Sequence, residues 1–277
     1  MPFQTTIKKE IQFTGIGLHN GLKSLVSLRP AEPGTGILFL TAKGKVKASY
    51  KNVSDGNFAL TLVAGKAKVV TAEHLLASLY CAGVDNVVCE LSGSNEVPIL
   101  DGSALEFSKA IKKAGLVTSS KKRKEVRIKE DALSFDMQTG RFLKAEKADK
   151  MEIRYYASYD NPAIGEQYRE FTISKENFMK EIAGARTFGW AEQVKEQRRQ
   201  GLIKGGSVKN AILFGAKGVV NKEGLRYKDE IIRHKIMDLL GALALLPFTL
   251  KGRFTAFKSG HNLDIEMIKK LGGIYDR

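Results

Sequence analysis

The feature that most constrains this chain is a pattern used twice: β-prone segments separated by turns, followed by helical segments. In the first half IKKEIQFTG, KSLVSLRP, GILFLTA, FALTLVAGKAKVV and NVVCELSG carry the β-prone residues. Helical spacing interrupts them over 72–81, where Leu75, Leu76 and Leu79 share a face, and over 104–113, closed by Gly115. The second half places VRIKE, LSFDM, RFLKA, KMEIRYYASY and REFTI first. Helices are expected over 192–200, 228–246 and, after the strand RFTAFKS, 262–271. Each half therefore predicts a mainly antiparallel sheet layered with helices, an α+β fold in two domains at 1–120 and 125–277. The halves share no strong sequence identity. The basic stretch SSKKRKEVRIKE at 119–130 reads as a solvated linker.

Composition narrows the class. The 277 residues, 43% of them hydrophobic, are enough for two cores by the usual domain sizes. The longest nearly unbroken apolar run, LLGALALLPF, falls well short of the roughly 20 residues a membrane span needs. The start MPFQTTIKKEIQ lacks the apolar centre of a signal peptide, so a cytoplasmic protein is expected. Cys81 and Cys89 sit in apolar surroundings without a CxxC spacing and read as free thiols of a reducing compartment. The net charge of +15 suits a polyanionic partner: nucleic acid, an anionic lipid surface or a phosphorylated metabolite. Charge alone separates none of these.

The four histidines carry the chemistry. His19 closes GIGLH, His74 follows Glu73 in TAEH, His234 opens HKIMD and His261 ends KSGH. His234 and Asp238 stand at i and i+4 of a helical segment, one turn apart on one face, so both can reach a single ion. The same spacing also serves an exposed ion pair. His74 in the other half would complete a three-ligand set of the kind catalytic zinc uses, with Glu73 beside it to take a proton from water. HEXXH is absent. His261, on a glycine-containing turn, would protonate a leaving group or stabilise an oxyanion, or simply pack at a helix start. His19 is a loop histidine near the cleft.

These residues belong to ordered blocks that resemble the zinc-dependent UDP-3-O-acyl-N-acetylglucosamine deacetylases of lipid A synthesis in Gram-negative bacteria. The blocks are GIGLHNG, TAEHLLASLY, VDNVVCEL, EVPILDGSA, ARTFGW, GLIKGGSVKNAILF, GLRYKDEIIRHKIMD and FTAFKSGH, and they cover essentially the whole chain. The resemblance implies two domains of similar α+β fold with the active site between them, metal ligands His74, His234 and Asp238, a general base at Glu73 and a general acid at His261. It further implies an oxyanion-stabilising hydroxyl at Thr187 and a lysine near the sugar and phosphate end at Lys235. Tyr159 matches an aromatic that stacks on the uracil, as a tyrosine where the family has phenylalanine, and His19 would join the substrate-binding residues. From Phe188 an insert at about 188–220 would form an apolar passage for the acyl chain, with Trp190, Leu202, Ile203, Val208, Ile212 and Leu213.

The implied cofactor is Zn²⁺, with Fe²⁺ compatible with the same ligands. The implied partner is the UDP-sugar substrate, with no nucleic acid, at most peripheral membrane contact, and a monomeric protein. One departure matters. Where the family continues HKxxDxxGD, this chain reads HKIMDLLGA, so Ala242 replaces the aspartate that supports the general-acid histidine. An inactive ligand-binding relative is one alternative on that ground. A basic RNA-binding protein is another, disfavoured by the lack of an RNP-like aromatic pattern.

Overall fold

The computed structural model describes residues 2–54, 58–161 and 163–276. The first half contains β1 (Phe3–Ile7), β2 (Ile11–Ile16), β3 (Lys23–Pro30), β4 (Ile37–Thr41), β5 (Gly44–Lys47), β6 (Val53–Ser54), β7 (Thr61–Ala64) and β8 (Ala67–Val69). Then come α1 (Glu73–Ala82), β9 (Val87–Ser92), α2 (Leu105–Ala114) and β10 (Leu116–Lys122). The second half has β11 (Glu125–Arg127), β12 (Ala132–Asp136), β13 (Arg141–Glu146), β14 (Met151–Ser158) and β15 (Glu166–Thr172). It continues with α3 (Lys175–Asn177), a π-helical turn (Phe178–Ile182), β16 (Phe188–Trp190), α4 (Ala191–Arg199), β17 (Ile212–Gly215) and β18 (Gly218–Val219). Last come α5 (Glu230–Leu243), β19 (Thr249–Phe257) and α6 (His261–Tyr275).

The two main sheets repeat one topology. The first runs β2-β3-β9-β4-β5 and the second β12-β13-β19-β14-β15, with β11 added alongside β19. Numbered within each half, both orders are 1-2-5-3-4. In both, the fifth strand is antiparallel to the second and parallel to the third. The α+β plan read from the sequence is thus the architecture observed, and the relation between the halves lies in strand order rather than in residue identity.

Alternation explains the layering. On β3 Ser24, Val26 and Leu28 are buried while their neighbours are more open; on β14 Met151, Ile153, Tyr155 and Ala157 are buried in the same rhythm. These faces turn towards α1, α2, α5 and α6, and one apolar cluster runs from the first sheet through the helices to the second. The helices meet most intimately where α1 crosses α5. A Cβ at Gly241 would collide with the Glu73 carbonyl oxygen and stand 2.9 Å from Glu73 Cα. Only glycine lets the start of α1 sit that close to α5.

Two readings of the sequence need correction. The segment 119–130 is not a free linker: β10 pairs antiparallel with β1, and β11 pairs parallel with β19. Its lysines mark it as an edge, where charged side chains coexist with strand pairing. The segment IKKEIQFTG is two strands, not one, broken between Ile7 and Ile11. Among the described residues no helix is long and apolar enough to cross a membrane. Cys81 and Cys89 are free, and burial holds both thiols well above their ordinary pKa.

Candidate metal centre and cleft

Glu73 and His74 open α1, and both are buried. The turn before them is unusual: Thr71 has φ +56°, and no side chain caps the helix. Glu73 instead uses Oε2 to accept the Leu60 amide at 3.0 Å. Burial, and after it the Asp238 carboxylate, raises the Glu73 pKa well above the ordinary carboxylate range. A buried carboxyl lining the cleft beside the candidate ligands stands where a general base would.

His234 and Asp238 project from the middle of α5, where the i, i+4 spacing puts His234 Nε2 3.5 Å from Asp238 Oδ1. His74 Nε2 reaches the same Oδ1 from α1 at 4.0 Å. The two imidazoles stand edge to face, 5.1 Å between centroids. His74, His234 and Asp238 form a buried group whose candidate ligand atoms all lie within 4.8 Å of one another. His234 Nδ1 lies 3.1 Å from the Ala185 carbonyl, which holds that nitrogen as the N–H donor and leaves Nε2 its lone pair. Burial depresses the imidazole pKa values, to about 3 for His74 and about 4 for His234, so both rings are neutral ligands at pH 7. Asp238 Oδ1 is buried with no hydrogen-bond partner. An orphan carboxylate oxygen between two neutral imidazole nitrogens is expensive unless a cation completes it, so the residues fit a divalent metal.

Around this centre runs a cleft of about 540 Å³. Of the ten residues singled out in the sequence, His19, Glu73, His74, Thr187, Phe188, His234, Lys235, Asp238 and His261 line it. Tyr159 does not. It packs 5.5 Å from Trp190 and 6.3 Å from Phe188 between ring centroids, in a small second core with Ile212 and Phe214. His261 is the first residue of α6, with Nε2 4.0 Å from Asp238 Oδ2. Burial lowers its pKa to about 4, against the pull of Asp238. Thr187 is fixed through its backbone: its N–H donates to Gly102 at 2.7 Å, and its carbonyl accepts from Ile212 at 2.7 Å. Lys235 places Nζ 5.8 Å from the Phe188 ring centroid. Within the insert, Trp190, Ile203, Val208, Ile212 and Leu213 line the cleft, whereas Leu202 does not.

Several residues that position the cleft escaped the sequence reading. Buried Glu96 accepts the amides of His19 at 2.8 Å and Asn20 at 2.9 Å, together with the Thr71 hydroxyl at 2.9 Å. It thereby pins the loop that carries His19 to the turn before α1. Both ring nitrogens of His19 remain without a partner, and burial lowers its pKa. On the other side, buried Glu230 at the start of α5 accepts the Arg186 amide at 3.0 Å, Arg186 Nε at 2.8 Å and the Arg226 amide at 2.6 Å. That pair sets the backbone just before Thr187. Arg226 also joins Asp101 of the first half at 2.8 Å. Glu96 and Asp101 lie in the EVPILDG block, and its proximity to the histidine loop is visible only in three dimensions.

The model of the UDP-3-O-acyl N-acetylglycosamine deacetylase family matches residues 4–272. A UDP-3-O-acyl-N-acetylglucosamine deacetylase of Citrifermentans bemidjiense is 41% identical over 98% of this chain and 89% of its own length. Proteins of the same name from Thermodesulfovibrio yellowstonii and Helicobacter hepaticus are 41% and 36% identical, over 98% and 97% of this chain and 92% and 89% of their own lengths. With a family match along nearly its whole length and relatives of this similarity, the chain belongs to the UDP-3-O-acyl N-acetylglycosamine deacetylase family.

Proposed function

We propose that this protein hydrolyses the N-acetyl group of UDP-3-O-acyl-N-acetylglucosamine, releasing acetate, as the committed step of lipid A biosynthesis. The observation that carries this reading is the buried His74, His234 and Asp238 group beside Glu73, with Asp238 Oδ1 lacking any hydrogen-bond donor. His74, His234 and Asp238 would hold the ion, which we assign as zinc, with iron(II) equally compatible with the ligand set. When bound, such an ion supplies Lewis acidity towards the amide carbonyl and makes water easier to deprotonate.

The chain's own groups then divide the work. Glu73 takes the proton of the attacking water, a role its raised proton affinity suits. Thr187 donates its hydroxyl to the oxyanion as the carbonyl carbon becomes tetrahedral. An amine leaves poorly as an anion, so a proton must reach the nitrogen as the C–N bond breaks. We assign that donation to His261, whose Nε2 lies 4.0 Å from Asp238 Oδ2; burial, the larger effect, favours its neutral form and Asp238 its charged one. Lys235 and His19 are read as contacts to the sugar and phosphate part of the substrate, and Phe188 opens the passage for the acyl chain. Tyr159, outside the cleft lining, contributes through its packing on Phe188 and Trp190 and is the least supported uracil contact. We further read the chain as two domains, 1–120 and 125–277, acting as a monomer in the cytoplasm without nucleic acid. The repeated sheet order supports the division.

The test is metal analysis of the purified protein together with acetate release from the UDP-sugar. About one divalent ion per chain and activity abolished by chelation are expected. A metal-loaded, folded protein without turnover would instead identify a ligand-binding relative, the reading that Ala242 favours. Absence of both metal and turnover would overturn the enzyme reading.

A further inference from the structure

The cleft does not end at the metal-binding group. Its lining also includes Trp190, Val194, Gln197 and Arg198 from β16 and α4, Ile203 and Val208 from the segment after them, and Leu18 from the first half. Two loops are stitched together there: Lys204 donates to the His19 carbonyl and Gly205 to the Leu18 carbonyl, both at 3.0 Å. Ile16 Cδ1 lies 3.2 Å from where a Cβ on Gly205 would stand. This rim exposes large apolar side chains to solvent: Leu22 at 57%, Val208 at 44% and Ile16 at 37%. Val208 lines the cleft, Ile16 packs at Gly205, and Leu22 follows Gly21, which abuts Lys204, so the three gather where the first-half loop meets the insert.

The same rim is cationic. Segment 188–220 holds Lys195, Arg198, Arg199, Lys204, Lys209 and Lys217 against only Glu192 and Glu196. Among the described residues no ion pair involves Lys195, Lys204, Lys209 or the neighbouring Lys23, and only Arg199 meets a carboxylate, Glu196, at 3.5 Å. Helix α4 contains no buried residue, so its charged side chains face water. Apolar side chains interspersed with unpaired cations are the composition of surfaces that rest at a lipid interface.

We propose that this rim docks reversibly on an anionic phospholipid bilayer, so that an acyl chain passes from the bilayer into the cleft without crossing bulk water. The inference rests on the proposed acylated substrate for its purpose, but not for its test. Nucleic acid would satisfy the cations alone; the apolar residues among them favour the bilayer. Each lysine at an anionic surface strengthens binding by about fivefold, and salt weakens the attraction.

Flotation of the full-length metal-loaded protein with vesicles tests it. Binding is expected to phosphatidylglycerol–phosphatidylcholine vesicles, to be lost at about 0.5 M salt, where the Debye length falls to roughly 4 Å, and to be absent with phosphatidylcholine alone. The triple variant K195E/K204E/K209E should bind at least about tenfold more weakly, and Leu22→Ser several-fold more weakly. Both variants should keep full turnover of a water-soluble, short-acyl substrate, which also shows that they fold. Equal binding to neutral vesicles, unchanged binding by the triple variant, or displacement from vesicles by single-stranded RNA at equal phosphate would overturn the proposal. Flotation does not depend on turnover. Docking without acetate release would therefore count against the deacetylase reading alone, and acetate release without docking against this one alone.

Discussion

The two halves share a sheet order, yet each pins its side of the cleft with a different kind of buried glutamate. In the first half Glu96 holds the His19 loop through two amides and a hydroxyl, with no ion pair among the described residues. In the second half Glu230 holds the approach to Thr187 through two amides and the Arg186 guanidinium. The helices differ in the same way. α1 offers Glu73 and His74 from its first turn, whereas α5 offers His234 and Asp238 from its middle. One topology thus supports two positioning strategies. Polar groups at a helix start can be aimed by loop hydrogen bonds, while groups in mid-helix need the helix itself to be anchored.

The sharpest way to break that contrast is to remove one group from each helix. Glu73→Ala should lower kcat by about 10²–10⁴-fold while keeping the metal, and His234→Ala should lose the metal itself. Metal content measured beside turnover separates the two. A Glu73→Ala protein with unchanged kcat would mean that α1 supplies no base.

The anchors come next. Arg186→Met strands Glu230 without its cation and should cost about 3–5 kcal/mol of stability, read from denaturant unfolding. Glu96→Gln keeps an acceptor for the loop and should cost only about 1–3 kcal/mol, with faster hydrogen exchange at the His19 and Asn20 amides. Equal losses would show that the two glutamates do the same job despite their different partners.

The pH-dependent contribution comes from Asp264, in the first turn of α6. It accepts a hydrogen bond from Ser259 at 2.9 Å, and burial raises its pKa from 3.8 to about 7. Because the folded protein favours the neutral acid, the stability linked to that form is complete below about pH 4. It drains away as pH climbs towards about 7. Asp264→Asn has no such loss. In chelated protein its Tm relative to the parent should therefore rise between those pH values, by about 2–4 °C per kcal/mol, and level off above. A constant difference across the range would place the titration elsewhere.

What the sequence disclosed follows from the range of the interactions. Helices α1, α2, α4, α5 and α6 were legible within a few residues because apolar spacing and a closing glycine are local signals. The candidate metal group was legible because His234 and Asp238 lie one turn apart, and His74 stands beside an acid. By contrast, Glu96, Arg186 and Glu230 act across 77 and 44 positions of chain, and nothing next to them announces it. The pairing of β10 and β11 was hidden by lysines that read as solvated surface. Tyr159 was placed by analogy, and its packing on Trp190 depends on an insert whose path no local pattern reveals.

Gly241 gives the crossing of α1 and α5 a thermodynamic meaning. Because the proposed ligands His74 and Asp238 stand on opposite sides of that backbone-to-backbone seam, an ion bound there would act as a clasp between the halves. Its binding free energy would then belong to the folding of the whole chain, so that each tenfold rise in free metal above the dissociation constant adds about 1.4 kcal/mol to global stability. A side chain at 241 would wedge the seam and weaken metal retention and folding together, from a position that contributes no ligand.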